Sequence, residues 1–107
     1  MQSLKENETL ARQFLVSGRV QKVGFRAYVH KQALKLELKG FVRNLKDGRV
    51  EVVARGPEAV LERLAALIES GPERAEVSQV EVKEVDWNCA GCRFEVQPDG
   101  EDIWPKP

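Results

Sequence analysis

The chain has 107 residues, 42% apolar and 32% charged, with lysine plus arginine balancing aspartate plus glutamate at 17 each. That length holds one domain with one core, and zero net charge speaks against a general nucleic-acid or membrane-surface binder. No apolar run reaches the length of a membrane span, and the polar start MQSLKENETLARQ lacks the apolar centre of a signal peptide, so a cytoplasmic protein is expected.

Residues 1–12 read as a polar arm. From Phe14 the pattern changes. Phe14, Val16, Gly18 and Val20 alternate with Leu15, Ser17 and Arg19, a strand. Gly24 interrupts it, and a helix is expected from Arg26, with Phe25, Val29, Ala33 and Leu36 on one stripe. Gly40 helps to end it. GFVRNLK reads as the second strand and RVEVVAR as the third, joined by a two-residue Asp-Gly turn within KDGR at 46–49.

Gly56-Pro57 opens a second helix, with proline suited to its first position. Val60, Leu64, Leu67 and Ile68 form its buried stripe, Leu61 widens it, and Gly71 is the expected left-handed cap. VSQVEVKEVDW reads as the fourth strand. Val80 and Val82 are out of phase with Val85 and Trp87, which predicts a bulge or the end of pairing between them. NCAG is a turn, CRFEV a short last strand, and QPDGEDIWPKP a proline-rich tail. The order β-α-β-β-α-β predicts an α+β, ferredoxin-like sandwich: an antiparallel sheet, two helices on one face, and a short extra C-terminal strand. Domain limits follow: an arm at 1–12, a folded unit at 13–97 and a tail at 98–107.

Gly18 to Arg26, GRVQKVGFR, carries the first chemical signal. A strand feeds a glycine-containing loop, and the loop feeds a helix N-terminus whose N–H groups lack helical partners. Such a turn can form an anion nest, and Arg26 adds a fork that grips phosphate or carboxylate. The bland alternative is a surface loop whose arginines pair with acids. Asn44, before the hairpin turn, offers a donor and an acceptor that can orient a water, or it simply shapes the turn.

The loop Gly18–Arg26 and the stretch GFVRNLKDGRVEV, Gly40–Val52, resemble the two signatures of the acylphosphatase family. GPERAEV at 71–77 is similar to the family's segment after its second helix. The resemblance runs from about Phe14 to Val96. It implies hydrolysis of the carboxyl–phosphate anhydride of small acyl phosphates to carboxylate and phosphate. Arg26 would bind the phosphoryl group, Asn44 would position the attacking water, and the backbone of Gln21, Lys22, Val23, Gly24 and Phe25 would cradle the phosphoryl oxygens. Neither a metal nor another cofactor is expected. His30, the single histidine, is expected to be a surface residue.

Two positions depart from the family. Lys22 stands where the loop usually has glycine. A positive φ there would cost about 1–2 kcal/mol, whereas an ordinary φ would leave the lysine as added positive charge for phosphate capture. Activity is expected to survive in either case. Glu37 stands where a glycine is usual near the end of the first helix, so a left-handed cap there would be mildly strained.

Parts of the sequence fit other functions. A non-catalytic acyl- or carbamoyl-phosphate-binding module, like the acylphosphatase-like front of a larger carbamoyl-transferring protein, is the alternative. The chain ends soon after its last strand, which argues against that role; a monomer is expected. An RNA-recognition sheet shares the element order but needs exposed aromatics and a basic face; Phe41 is a poor substitute, and no nucleic-acid partner is expected. Cys89 and Cys92 form a lone C-x-x-C in an expected hairpin. They lack the second pair of a structural zinc site and the helix start that stabilises a redox thiolate. They read as a structural or incidental pair, with a disulfide open to them outside a reducing compartment. Trp87 is expected near the sheet's end, and Trp104 either folds back or marks a contact.

Overall fold

A computed structural model describes residues 8–100, 103 and 104. The elements are β1 (Leu10–Arg19), α1 (Phe25–Lys35), β2 (Lys39–Asn44), β3 (Val50–Gly56), α2 (Glu58–Ser70), β4 (Glu76–Val85) and β5 (Phe94–Val96). The sheet has five strands in the order β4-β1-β3-β2-β5. Its first four strands pair antiparallel, as the ferredoxin-like reading requires, while β5 joins β2 in parallel, Gly40 opposite Phe94. The sheet is therefore mixed. The expected hairpin between β4 and β5 does not form, because these strands occupy opposite edges.

Of the polar arm expected at 1–12, residues 1–7 lie outside the described residues, and β1 starts at Leu10. Ala11 and Gln13 are buried there. A buried glutamine breaks the apolar alternation, which hid the start of the strand. The irregularity in β4 also lies elsewhere than expected. Ser17 faces Gln79 and Gly18 faces Val77, so the shift falls at Ser78. Gly18 has φ +121°, and a Cβ on it would come within 2.7 Å of the Ser78 nitrogen. The hairpin loop is longer than two residues: Leu45 donates to the Arg49 carbonyl at 2.8 Å and Gly48 to the Leu45 carbonyl at 3.1 Å, leaving Lys46, Asp47 and Gly48 as a three-residue loop with Gly48 at φ +101°. Hydrogen bonds from the Arg49 side chain and backbone hold the Asp47 carboxyl below its ordinary pKa.

Between helices and sheet lie Phe14, Val16, Val20, Phe25, Val29, Ala33, Val42, Val52, Leu61, Leu64 and Ile68. Val60 is only partly buried, so Leu61 is central to the α2 stripe. Pro57 is the N-cap of α2, one position before that expected. The Tyr28 hydroxyl donates to the Leu67 carbonyl at 2.9 Å, joining α1 to α2, and burial raises its pKa. Helix α1 ends as a Schellman motif: Leu38 donates to the Ala33 carbonyl and Glu37 to that of Leu34, both at 3.0 Å. Glu37 carries φ +59°, so the strain its sequence position suggested is present.

The centre of the sheet face without helices is covered too, while Gln79, Glu81 and Lys83 of β4 stay exposed on it. Phe41 and Trp87 meet edge to face at 6.3 Å, and Phe41 is 3% exposed, so it offers no platform for base stacking. Glu51, fully buried, accepts from Arg43 Nε at 2.7 Å, Gln13 Nε2 at 2.8 Å and the Trp104 backbone nitrogen at 2.7 Å. Trp104 thus folds back on the domain. Cys89 and Cys92 are joined by a disulfide within the link from β4 to β5.

Candidate active site

The loop from β1 to α1 contains two left-handed residues, Lys22 at φ +64° and Gly24 at φ +81°. A Cβ on Gly24 would meet nothing within 4 Å, so glycine is suited to that position by backbone angle, not by space. Gly24 is the N-cap of α1 and accepts from the Tyr28 amide at 3.0 Å. It has no side chain to cap the helix, and no acidic residue lies in the first turn. The partial positive charge of this helix end is therefore not offset by its own residues.

Phe25, buried against the core, anchors the first turn, and Arg26 follows it towards solvent. Asn44, at the end of β2, lies on the same sheet face as Val42, the face covered by helices. Strand and helix converge on a pocket of about 370 Å³ lined by Lys22, Gly24, Phe25, Arg26, His30 and Asn44, with Val20, Ala27 and Val96 as apolar wall.

Gln21 and Val23 do not line this pocket. Val23 packs on the core. The Gln21 amide donates at 2.8 Å to the carbonyls of both Leu45 and Arg49, tying the loop to the hairpin that follows Asn44. The sequence reading assigned it only a backbone role. His30 lines the pocket, and its ring lies 6.3 Å from that of Phe94, which corrects the expectation of a surface residue. Its spacing, four residues after Arg26, was the available signal, since i and i+4 share a helix face. Asp99 was missed as well: its Oδ1 lies 3.3 Å from Arg26 Nη1. Among the described residues, no cluster of three or more histidine, cysteine or acidic side chains is placed to hold a metal, and no helix is long and apolar enough to cross a membrane.

A family model of acylphosphatase matches residues 12–96. The chain belongs to the acylphosphatase family. An acylphosphatase of Thermus thermophilus is 54% identical over 69 residues, 64% of this chain and 78% of that protein. The solved acylphosphatase of Coxiella burnetii superposes with a TM-score of 0.79 at 36% identity, covering 91% of this chain and all of its own. Full-length HypF, solved in a phosphate- and nucleotide-bound form, superposes with a TM-score of 0.80 at 31% identity over 90% of this chain but 13% of its own. The acylphosphatase signatures here are the loop and the strand that line the pocket.

Proposed function

We propose that this acylphosphatase hydrolyses small acyl phosphates in the Arg26–Asn44 pocket, with Arg26 and the Gln21–Phe25 loop binding the phosphoryl group and Asn44 positioning the water. The water oxygen forms a bond to phosphorus, the bond to the bridging oxygen breaks, and the carboxylate leaves with the bonding pair. The water's protons end on phosphate and solvent. Phosphoryl transfer of this kind asks the protein mainly for positioning and charge stabilisation, and a carboxylate leaves without a strong general acid. The observation that carries the reading is the shared pocket: Arg26 on α1 and Asn44 on β2 line one cavity with Lys22 and a left-handed Gly24. Val20, Ala27 and Val96 offer an apolar wall for the acyl group.

The test is benzoyl phosphate hydrolysis in the presence of a metal chelator. Wild type is expected to turn over. Arg26→Ala and Asn44→Ala are each expected to lose about a hundredfold or more in kcat/KM, the scale of removing one oxyanion or positioning group. The likeness to part of HypF supports a second reading, a non-catalytic acyl- or carbamoyl-phosphate-binding module. Phosphate binding without wild-type turnover would favour it. The proposal also takes the protein to be a monomer without a nucleic-acid partner, the latter in keeping with its balanced charge, and to be cytoplasmic, where Cys89 and Cys92 would be kept as thiols.

A further inference from the structure

We propose that Asp99 is the resting counter-ion of Arg26 and that it sets the affinity of the pocket for phosphoryl groups; this rests on the reading of the pocket given above. Asp99 belongs to a segment that reads as a tail, yet backbone pairing docks that segment on both sides of it. Gln97 donates to the Val42 carbonyl, Gly100 donates to the Asn44 carbonyl, and Lys46 donates to the Gly100 carbonyl, each at 2.9 Å. The segment thus prolongs the parallel pairing of β5 along β2 as far as the strand end that carries Asn44. Gly100 also lies where Arg43 crosses, since a Cβ there would come within 2.7 Å of Arg43 Cζ. The docking is therefore built into the sequence, and it delivers the Asp99 carboxylate to Arg26, with Nη1 to Oδ1 at 3.3 Å.

Two consequences follow from the charges. The carboxylate occupies part of the guanidinium fork, so an incoming phosphoryl group must share or displace it. A phosphoryl dianion held by Arg26 then has a carboxylate beside it, which weakens substrate and product phosphate alike. Lys22, on the pocket wall, supplies the opposing charge. Both members of the pair are solvent-accessible, Arg26 at 39% and Asp99 at 70%, so screening keeps the effect modest.

The experiment compares wild type with Asp99→Asn and Asp99→Glu in benzoyl phosphate kinetics, with inorganic phosphate binding followed by calorimetry. Asp99→Asn leaves the backbone pairing of the tail in place and removes only the charge. KM for benzoyl phosphate and Kd for phosphate are expected to fall together by roughly two- to fivefold, kcat moving less than KM, and the gain is expected to vanish near 1 M salt, where the Debye length is about 3 Å. Asp99→Glu is expected to stay near wild type. Unchanged constants in Asp99→Asn would overturn the proposal, and so would a rise in KM with a fall in kcat, the signature of mere support for Asn44. The calorimetric arm does not depend on turnover. A wild type that binds phosphate without hydrolysing benzoyl phosphate would sink the hydrolytic reading and still decide the role of Asp99.

Discussion

Lys22 holds φ +64°, and Glu37 holds φ +59°. Each L side chain there carries about 1–2 kcal/mol of steric cost. Glycine would relieve it but would add about 0.5–1 kcal/mol of unfolded-state freedom. The expected net gain is about 0.5–1 kcal/mol for Lys22→Gly and the same for Glu37→Gly, read by denaturant unfolding. The two variants part in their kinetics. Lys22 lines the pocket and Glu37 does not, so only Lys22→Gly is expected to raise KM, by roughly twofold, with a rise that shrinks as salt increases. Equal KM values in both variants would mean that the ammonium adds nothing to phosphate capture. A loss of stability in Lys22→Gly would mean that a contact of the lysine outweighs its backbone strain.

At the scale of elements, the site is a junction between the loop before α1 and the hairpin after β2, and Gln21 fastens the two. Its single amide nitrogen donates to the Leu45 and Arg49 carbonyls, so Arg26 and Asn44 are held in mutual register through one side chain. Gln21→Ala is expected to lower kcat by about tenfold, because small misplacements of reacting groups are costly, with a smaller change in KM. Gln21→Glu is expected to be worse, since a carboxylate has no donor to offer two carbonyls. An alanine variant with wild-type kcat would show that other contacts hold the loop. Much of this junction could be read along the chain. Local periodicity marked both helices and the first four strands, and the two signatures named Arg26 and Asn44. Pairing across the sheet could not be read that way. The three residues of β5 carry too little pattern to announce a parallel partner, so the short strand was expected in a hairpin. For the same reason Asp99, set beside Arg26 only by that pairing, looked like part of a tail. His30 was hidden differently: its spacing from Arg26 puts both on one helix face, but that spacing alone does not separate a pocket wall from a surface.

At the scale of the whole molecule, the candidate active site and the far face of the sheet are joined by the last described segment. Glu51, at the centre of that face, gathers Arg43, Gln13 and the Trp104 backbone on its two oxygens. The Gln13 amide also donates to the Trp104 carbonyl at 2.6 Å. A few residues earlier, the same segment donates from Gly100 to the carbonyl of Asn44. An alternating pattern places Glu51 on the face opposite Val50 and Val52 and marks that face as polar. Glu51 is nonetheless fully buried, and the fold-back that brings Trp104 to it is announced by no local signal. Glu51→Gln would set an amide N–H₂ among groups that all donate, and would remove the charge that faces Arg43. Breaking a buried ion pair costs about 3–5 kcal/mol; Arg43 retains 13% exposure, so a loss near 3 kcal/mol is expected in denaturant unfolding. Because the segment is anchored at Glu51, the amides of Gly100 and Trp104 are expected to lose hydrogen-exchange protection before the core strands do. Loosening the Gly100 contact is also expected to lower kcat under conditions where the protein remains folded. A Glu51→Gln variant with wild-type protection at both amides would show that the segment is held by its pairing with β2 alone, and that the two faces of the sheet act independently.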